Sequence, residues 1–119
     1  MLIVEDEALI AFGLEDALED EGFSVAGPFA TCAEALTSVQ HALPDVAVLD
    51  ALLRDGPCLE LARELRGREV PFLIYSGRDA FAQQPSELDG VLWIEKPAPV
   101  ERVVAAVAGL RRGSGATGP

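Results

Sequence analysis

The sequence has few cationic side chains, few cysteines and no long hydrophobic run. Nine lysines and arginines face twenty aspartates and glutamates, so the net charge is −11, and Lys96 is the single lysine. A charge of this sign repels the phosphates of DNA and RNA, and we expect no direct nucleic-acid binding. No apolar run approaches the ~20 residues that a membrane-spanning helix needs, so we expect no membrane insertion.

The two cysteines, Cys32 and Cys58, are too few for a disulfide framework and lack the spacing of a metal site. We interpret both as small, buried or half-buried residues of a reducing compartment. The apolar residues after Met1 lead directly into acidic ones, which is unlike a signal peptide. We therefore expect a soluble, cytoplasmic protein with one compact domain at 1–112 and a flexible tail at 113–119.

Four short apolar runs end at polar residues suited to phosphate or metal chemistry. Leu2-Ile3-Val4 leads into Glu5 and Asp6, Val46–Leu49 into Asp50, Phe72–Tyr75 into Ser76, and Val91–Ile94, one residue later, into Lys96. If the runs are parallel strands, their carboxyl ends meet at one edge of one sheet. Three carboxylates, a hydroxyl and an ammonium would then form a site.

The periodicity between these runs predicts helices. A fifth short strand is predicted at 23–26, closed by Gly27-Pro28, and a capping box of Thr31 and Glu34 predicts a helix from Cys32. A third helix is predicted at 58–66 and a last helix from Pro99. Alternating strands and helices indicate an α/β fold, a doubly wound five-stranded parallel sheet of order 2-1-3-4-5. Its switch point lies between strands one and three, where Glu5, Asp6 and Asp50 fall.

One segment interrupts the alternation of strands and helices. A helix is expected between the fourth and fifth strands, but Pro85 forbids an uninterrupted one. We predict a mobile loop over 79–89, with the fourth helix of the fold reduced or absent.

The residue types at this edge suggest phosphoryl chemistry supported by a divalent cation. Three neighbouring carboxylates repel one another, and Mg²⁺, held by Glu5, Asp6 and Asp50, would relieve that repulsion. A central carboxylate such as Asp50 can become an aspartyl phosphate, with Lys96 and Ser76 contacting its oxygens. Taken alone, an acidic pair after a strand can equally be a feature of a helix N-terminus.

With these residues in place, the chain from Leu2 to about Leu110 resembles the receiver domain of bacterial two-component response regulators, the CheY-like fold. The resemblance is carried by residues 2–7, Leu49-Asp50, Ser76-Gly77 and Lys96-Pro97. It implies that Asp50 accepts a phosphoryl group from a histidine kinase or histidine phosphotransfer protein. It also implies a metal-ligating backbone carbonyl at Leu52, an aromatic switch at Trp93 and a cis bond before Pro97.

The segment Pro71–Gly77 is also similar to a Pro-Phe-x-Phe-Ala-Thr-Gly loop, which marks stand-alone alphaproteobacterial receivers that act on a downstream protein partner. Such a protein is a phosphoacceptor rather than an enzyme. Two alternatives remain at this point: a pseudo-receiver that binds proteins without being phosphorylated, and a haloacid-dehalogenase-type phosphohydrolase. The hydrolase chemistry wants a second aspartate two residues after the nucleophile, where this chain has Leu52.

Overall fold

A five-stranded parallel sheet forms the centre of the computed structural model, which describes residues 1–57, 59–77 and 86–116. The sheet contains β1 (Leu2–Val4), β2 (Ala26–Phe29), β3 (Ala47–Leu49), β6 (Phe72–Ser76) and β7 (Leu92–Glu95) in the spatial order β2-β1-β3-β6-β7. A separate antiparallel ribbon pairs β4 (Leu52–Leu53) with β5 (Gly56–Pro57). Without that ribbon the order is 2-1-3-4-5, so the predicted fold class is confirmed.

Four α-helices are found within the described residues, three of them between strands and the fourth after the last strand. They are α1 (Ala8–Asp20), α2 (Cys32–His41), α3 (Leu59–Gly67) and α4 (Val100–Ala116). Helices α1 and α4 pack against each other, and α2 contacts α3. The sheet therefore has a pair of helices on each face.

The core consists of two apolar layers because successive strand residues point to opposite faces of the sheet. On the side of α2 and α3 the buried residues include Leu2, Val4, Leu49, Phe72, Ile74, Leu61 and Leu65. On the side of α1 and α4 they include Ile3, Val48, Leu73, Tyr75, Ile94, Leu14 and Val107. Both faces of β1, β3 and β6 are covered, which explains why their sequences are continuously apolar.

The second strand differs from its prediction. It spans Ala26–Phe29 rather than 23–26, so Gly27 and Pro28 lie inside the strand instead of closing it. An edge strand tolerates proline, and the register between β1 and β2 shifts at this point. Gly27 has φ +95°, and a Cβ placed there would lie 2.7 Å from the carbonyl oxygen of Ile3. Glycine is therefore required for β2 to approach β1.

The start of α2 is held by two side chains. Thr31 Oγ accepts a hydrogen bond from the backbone N–H of Glu34, as the predicted capping box requires in part. Asp55, between β4 and β5, accepts from the N–H groups of Cys32 (2.9 Å) and Ala33 (3.2 Å). The segment after the third sheet strand is thereby fastened to α2.

The prediction that both cysteines are reduced differs from the structure, in which Cys32 is disulfide-bonded. Cys58 lies outside the described residues. A low cysteine count excludes a framework of several bridges but does not exclude a single bridge.

The loop predicted at 79–89 and the tail predicted at 113–119 also differ in part from the structure. Ser86–Leu88 forms one turn of 3₁₀-helix, whereas positions 79–85 of the predicted loop lie outside the described residues. Helix α4 continues to Ala116, into the segment predicted as tail, because glycine weakens a helix without stopping it. Residues 117–119 are outside the described part. Within that part, no helix combines the length and apolar content that crossing a bilayer requires.

Candidate functional site

The carboxyl ends of β1 and β3 bring two acidic residues together beneath one edge of the sheet. Val4 is in register with Leu49, and the N–H of Asp50 donates to the carbonyl of Val4 at 2.8 Å. The next residues along each strand, Glu5 and Asp50, are 3% and 6% exposed. The parallel register thus places two carboxylates in the protein interior, where each needs a partner.

Lys96 is the cation that both buried carboxylates share. Its Nζ lies 2.7 Å from Glu5 Oε1 and 3.0 Å from Asp50 Oδ2. The backbone N–H of Lys96 donates to the carbonyl of Ser76 at 2.9 Å, so β6 fixes the point from which the lysine side chain reaches the site. The peptide bond between Lys96 and Pro97 is cis, as the resemblance implied.

The other oxygen of Asp50 accepts hydrogen bonds from β6 and from its own loop. Ser76 Oγ donates to Asp50 Oδ1 at 2.7 Å, and the backbone N–H of Leu52 donates to the same oxygen at 3.1 Å. Burial disfavours the charged form of Asp50, but the bonds from Ser76, Leu52 and Lys96 outweigh it and hold the pKa of Asp50 below its ordinary value. Asp50 is therefore an ionised carboxylate, the form that can act as a nucleophile.

The pKa of Glu5 is shifted in the direction opposite to that of Asp50. Burial, with a smaller contribution from the charge of Asp50, raises the pKa of Glu5 to about 7 against the lowering effects of the hydrogen bonds from Lys96 and from the N–H of Glu7. The two carboxylates thus differ in proton affinity although they share one lysine. For Lys96, burial disfavours the ammonium, but Glu5 and Asp50 overcome this and raise the pKa of Lys96 above its ordinary value.

The donor set fits a divalent cation. Glu5, Asp6 and Asp50 each offer a carboxylate oxygen, and these atoms lie within 4.8 Å of one another. Hard oxygen donors with surplus negative charge are what Mg²⁺ prefers. Leu52 lines the same cavity, and its backbone carbonyl stays a predicted ligand. The geometry agrees with the predicted metal site.

An open cavity of about 880 Å³ gives access to this edge. Its lining includes Asp6, Asp50, Ser76 and Lys96, together with the apolar residues Ile10 and Ala98. Asp50, although buried, therefore contributes to a surface that a phosphorylated group can reach.

Trp93 lies apart from this cluster. It is half-buried on β7, opposite Ile74, and packs against the apolar layer under α2 and α3. The described residues lining the cavity do not include it. Its role as an aromatic switch stays a prediction.

Two residues near Lys96 were not predicted as part of the site. Glu7 Oε1 lies 3.4 Å from Lys96 Nζ, and the ring centroid of Tyr75 lies 5.5 Å from it. Glu7 is the third acid of the run that begins at Glu5, and Tyr75 is the single tyrosine, next to Ser76. Strand-end reasoning selects only residues beyond a strand, so it passes over Tyr75, whose side chain belongs to the buried layer.

Comparison with known proteins gives consistent matches. The family model of the response regulator receiver domain matches residues 1–108. The probable transcriptional regulatory protein TcrX of Mycobacterium tuberculosis is 31% identical over 98% of this chain and 51% of its own length. The DNA-binding transcriptional activator DevR/DosR of that organism is 37% identical over 77% of this chain and 42% of its own. The chain spans about half the length of these curated relatives.

Solved structures also resemble this chain. SdrG from Sphingomonas melonis Fr1 superimposes with a TM-score of 0.78 and 36% identity, over 92% of each chain. A CheY-like receiver domain protein from Methanospirillum hungatei JF-1 gives a TM-score of 0.81 at 22% identity, covering 98% of this chain and 96% of its own. At that identity the second likeness concerns the fold alone.

Proposed function

Because the chain belongs to the response regulator receiver domain family, we propose that it accepts a phosphoryl group on Asp50 from a histidine kinase or a histidine phosphotransfer protein. One observation carries the proposal. Asp50 is an ionised, buried carboxylate whose two oxygens are held by Ser76 and Lys96 at the mouth of an open cavity. A turn residue or a helix cap would need none of these contacts.

The transfer needs an in-line approach of the donor phosphorus to one Asp50 oxygen. A bond forms between that oxygen and phosphorus while the phosphorus–nitrogen bond to the donor histidine breaks. The bonding electron pair stays on the imidazole nitrogen, which later takes a proton from solvent. Lys96 remains beside Asp50 and offsets charge on the transferred oxygens.

Mg²⁺, held by Glu5, Asp6 and Asp50, would supply further positive charge beside the transferred group. Ser76 has a separate task. Its hydroxyl donates to Asp50 Oδ1 at rest and can rotate to donate to a phosphoryl oxygen once Asp50 is phosphorylated. The phosphoryl group adds about −1.5 to −2 charges, and Ser76 and Lys96 are placed to follow that change.

The donor is proposed to be a protein because apolar side chains lie exposed beside the cavity. Leu9 and Phe12, on the first turns of α1, are 89% and 60% exposed. Ile10, between them, lines the cavity. A helix of a phosphodonor protein could cover Leu9 and Phe12 while presenting its histidine to Asp50.

We further propose that the output is a protein–protein interaction by a cytoplasmic, stand-alone receiver. The match to SdrG over 92% of that chain supports a unit of this size. Because each chain would be modified once and then relay its phosphoryl group or lose it, the protein is a stoichiometric phosphoacceptor and not an enzyme.

Intact-mass analysis after incubation with acetyl phosphate and Mg²⁺ tests the proposal. The wild type should gain one phosphoryl group, which alkali removes, and chelation of Mg²⁺ should suppress the gain. Asp50→Asn should gain none, whereas Asp45→Asn, a matched change at the opposite end of β3, should behave as wild type. An adduct on Asp50→Asn would refute the assignment, and no adduct on wild type would favour a pseudo-receiver.

A further inference from the structure

Tyr75 makes polar contacts that core packing alone does not require. It is 5% exposed, lies on β6 and directly precedes Ser76. Its hydroxyl donates to the carbonyl oxygen of Ala98 at 3.2 Å, and the N–H of Ala98 lies 3.4 Å from the hydroxyl oxygen. One phenol group thus holds both backbone polar groups of Ala98, in the segment between β7 and α4.

The ring of Tyr75 faces the other end of the same segment. Lys96 Nζ lies 5.5 Å from the ring centroid, within the range in which a cation is attracted to an aromatic face. The backbone N–H of Lys96 is also bonded to Ser76, the next residue of β6. Two consecutive residues of β6 therefore fix the backbone of Lys96, its side chain and the chain two residues later.

We propose that Tyr75 is a positioning residue that keeps Lys96 between Glu5 and Asp50. The ammonium has a competing partner, since Glu7 lies 3.4 Å away with its side chain 60% exposed. Without the ring and the hydroxyl, the segment from Lys96 to Ala98 can move outward, and the lysine can turn toward Glu7. This role rests on the proposed function of Asp50, because it matters for phosphoryl transfer only if Asp50 is the acceptor.

A single lysine makes the position of its side chain directly measurable. With ¹³C-labelled lysine, the protein should give one set of lysine side-chain signals, and their relaxation reports how tightly the side chain is held independently of any ring-current shift. In Tyr75→Leu the relaxation should become that of a mobile, free lysine, whereas Tyr75→Phe should keep it restrained. Phe72→Leu is the matched control: it removes another buried aromatic ring of β6, from the layer on the opposite face. Unchanged lysine relaxation in Tyr75→Leu, or an equal change in Phe72→Leu, would overturn the proposal.

A double-mutant cycle tests whether Tyr75 acts through Lys96. Tyr75→Phe keeps the ring and nearly all the volume, so it tests the hydroxyl even if Tyr75→Leu does not fold. We expect it to slow phosphorylation by acetyl phosphate about threefold or more, because small displacements of a positioned group lower transfer rates. In a Lys96→Ala background the same change should have no further effect. Equal slowing in both backgrounds, or none in the wild type, would contradict the proposal.

The two proposals can fail separately. If the wild type gains no phosphoryl group while the relaxation of the lysine signals responds to Tyr75→Leu alone, the assignment of Asp50 fails and the positioning of Lys96 stands. If the wild type is phosphorylated and the relaxation of the lysine signals does not change in Tyr75→Leu, the assignment of Asp50 stands and the positioning of Lys96 by Tyr75 fails.

Discussion

The N-termini of α1 and α2 are both surrounded by carboxylates, yet the carboxylates do different work. At α2, Asp55 and Thr31 accept hydrogen bonds from backbone N–H groups of the first turn. At α1, the side chain of the N-cap residue Glu7 makes no capping bond; Glu5 accepts from the N–H of Glu7 with one oxygen and pairs with Lys96 through the other. An acidic residue near a helix start is therefore structural or functional according to where its oxygens point, which sequence spacing does not reveal.

Folding shifts the pKa values of these two carboxyl groups, exposed Asp55 and buried Glu5, in opposite directions. Asp55 is exposed, and its bond from the N–H of Cys32, supported by that of Ala33, holds the pKa of Asp55 below its ordinary value. Glu5 is buried, and burial raises its pKa to about 7. The carboxylate of Asp55 is stabilised as an anion by the backbone of α2, whereas that of Glu5 is held by Lys96 and by one backbone N–H, that of Glu7.

The largest expected effect comes from removing that lysine. Lys96→Met leaves Glu5 and Asp50 buried without their cation, which should lower the free energy of unfolding by about 3–5 kcal/mol in urea titrations without divalent cations. Mg²⁺ should narrow the deficit by replacing the lost charge. Arg68→Met removes an exposed ion pair with Glu64 and should cost no more than about 1 kcal/mol. Similar losses in the two variants would show that the buried carboxylates depend on Lys96 no more than the exposed Glu64 depends on Arg68.

A smaller effect should distinguish the two helix starts. Thr31→Ala removes a capping acceptor of α2 and should lower the free energy of unfolding by about 1 kcal/mol. Glu7→Ala, at the equivalent position of α1, should change it by no more than about 0.5 kcal/mol, since only an exposed ion pair is lost. Urea unfolding of both variants measures the contrast, and a larger loss in Glu7→Ala would reverse the assignment of roles.

The smallest expected effect concerns acid stability. Folding lowers the pKa of Asp55 from its ordinary value of 3.8, so the ionised side chain stabilises the folded protein at pH values above 3.8. This contribution is lost as the pH falls through the lower pKa of the folded state. Asp55→Asn lacks the contribution at every pH. The stability difference between wild type and this variant should therefore be larger at pH 6 than at pH 3, and a difference that grows on acidification would be inconsistent with capping by Asp55.

Much of this architecture follows from local sequence. Continuous apolar runs identified the buried strands, and polar residues at their ends identified Glu5, Asp50, Ser76 and Lys96. The position of the edge strand β2 was predicted wrongly because Gly27-Pro28 is typical of a turn. Gly27 is needed inside the strand because β2 approaches β1 closely, and that approach is visible only in the structure. The ribbon of β4 and β5 is too short to have a periodicity. Tyr75 was missed because its contact with Ala98 joins positions distant in sequence.

The close approach of Gly27 to Ile3 has a consequence for which residues homologues of this protein can carry at position 27. Any side chain at position 27 would displace the β1 carbonyl at 2.7 Å, on the strand that leads into Glu5, and Phe29 of the same edge strand binds the N–H of Glu5. Selection acting on the acidic cluster should therefore also retain this glycine, which offers no ligand. Gly13, where an added Cβ would meet nothing within 4 Å, is free of that pressure. An invariant position 27 in future alignments would thus record backbone spacing and not chemistry.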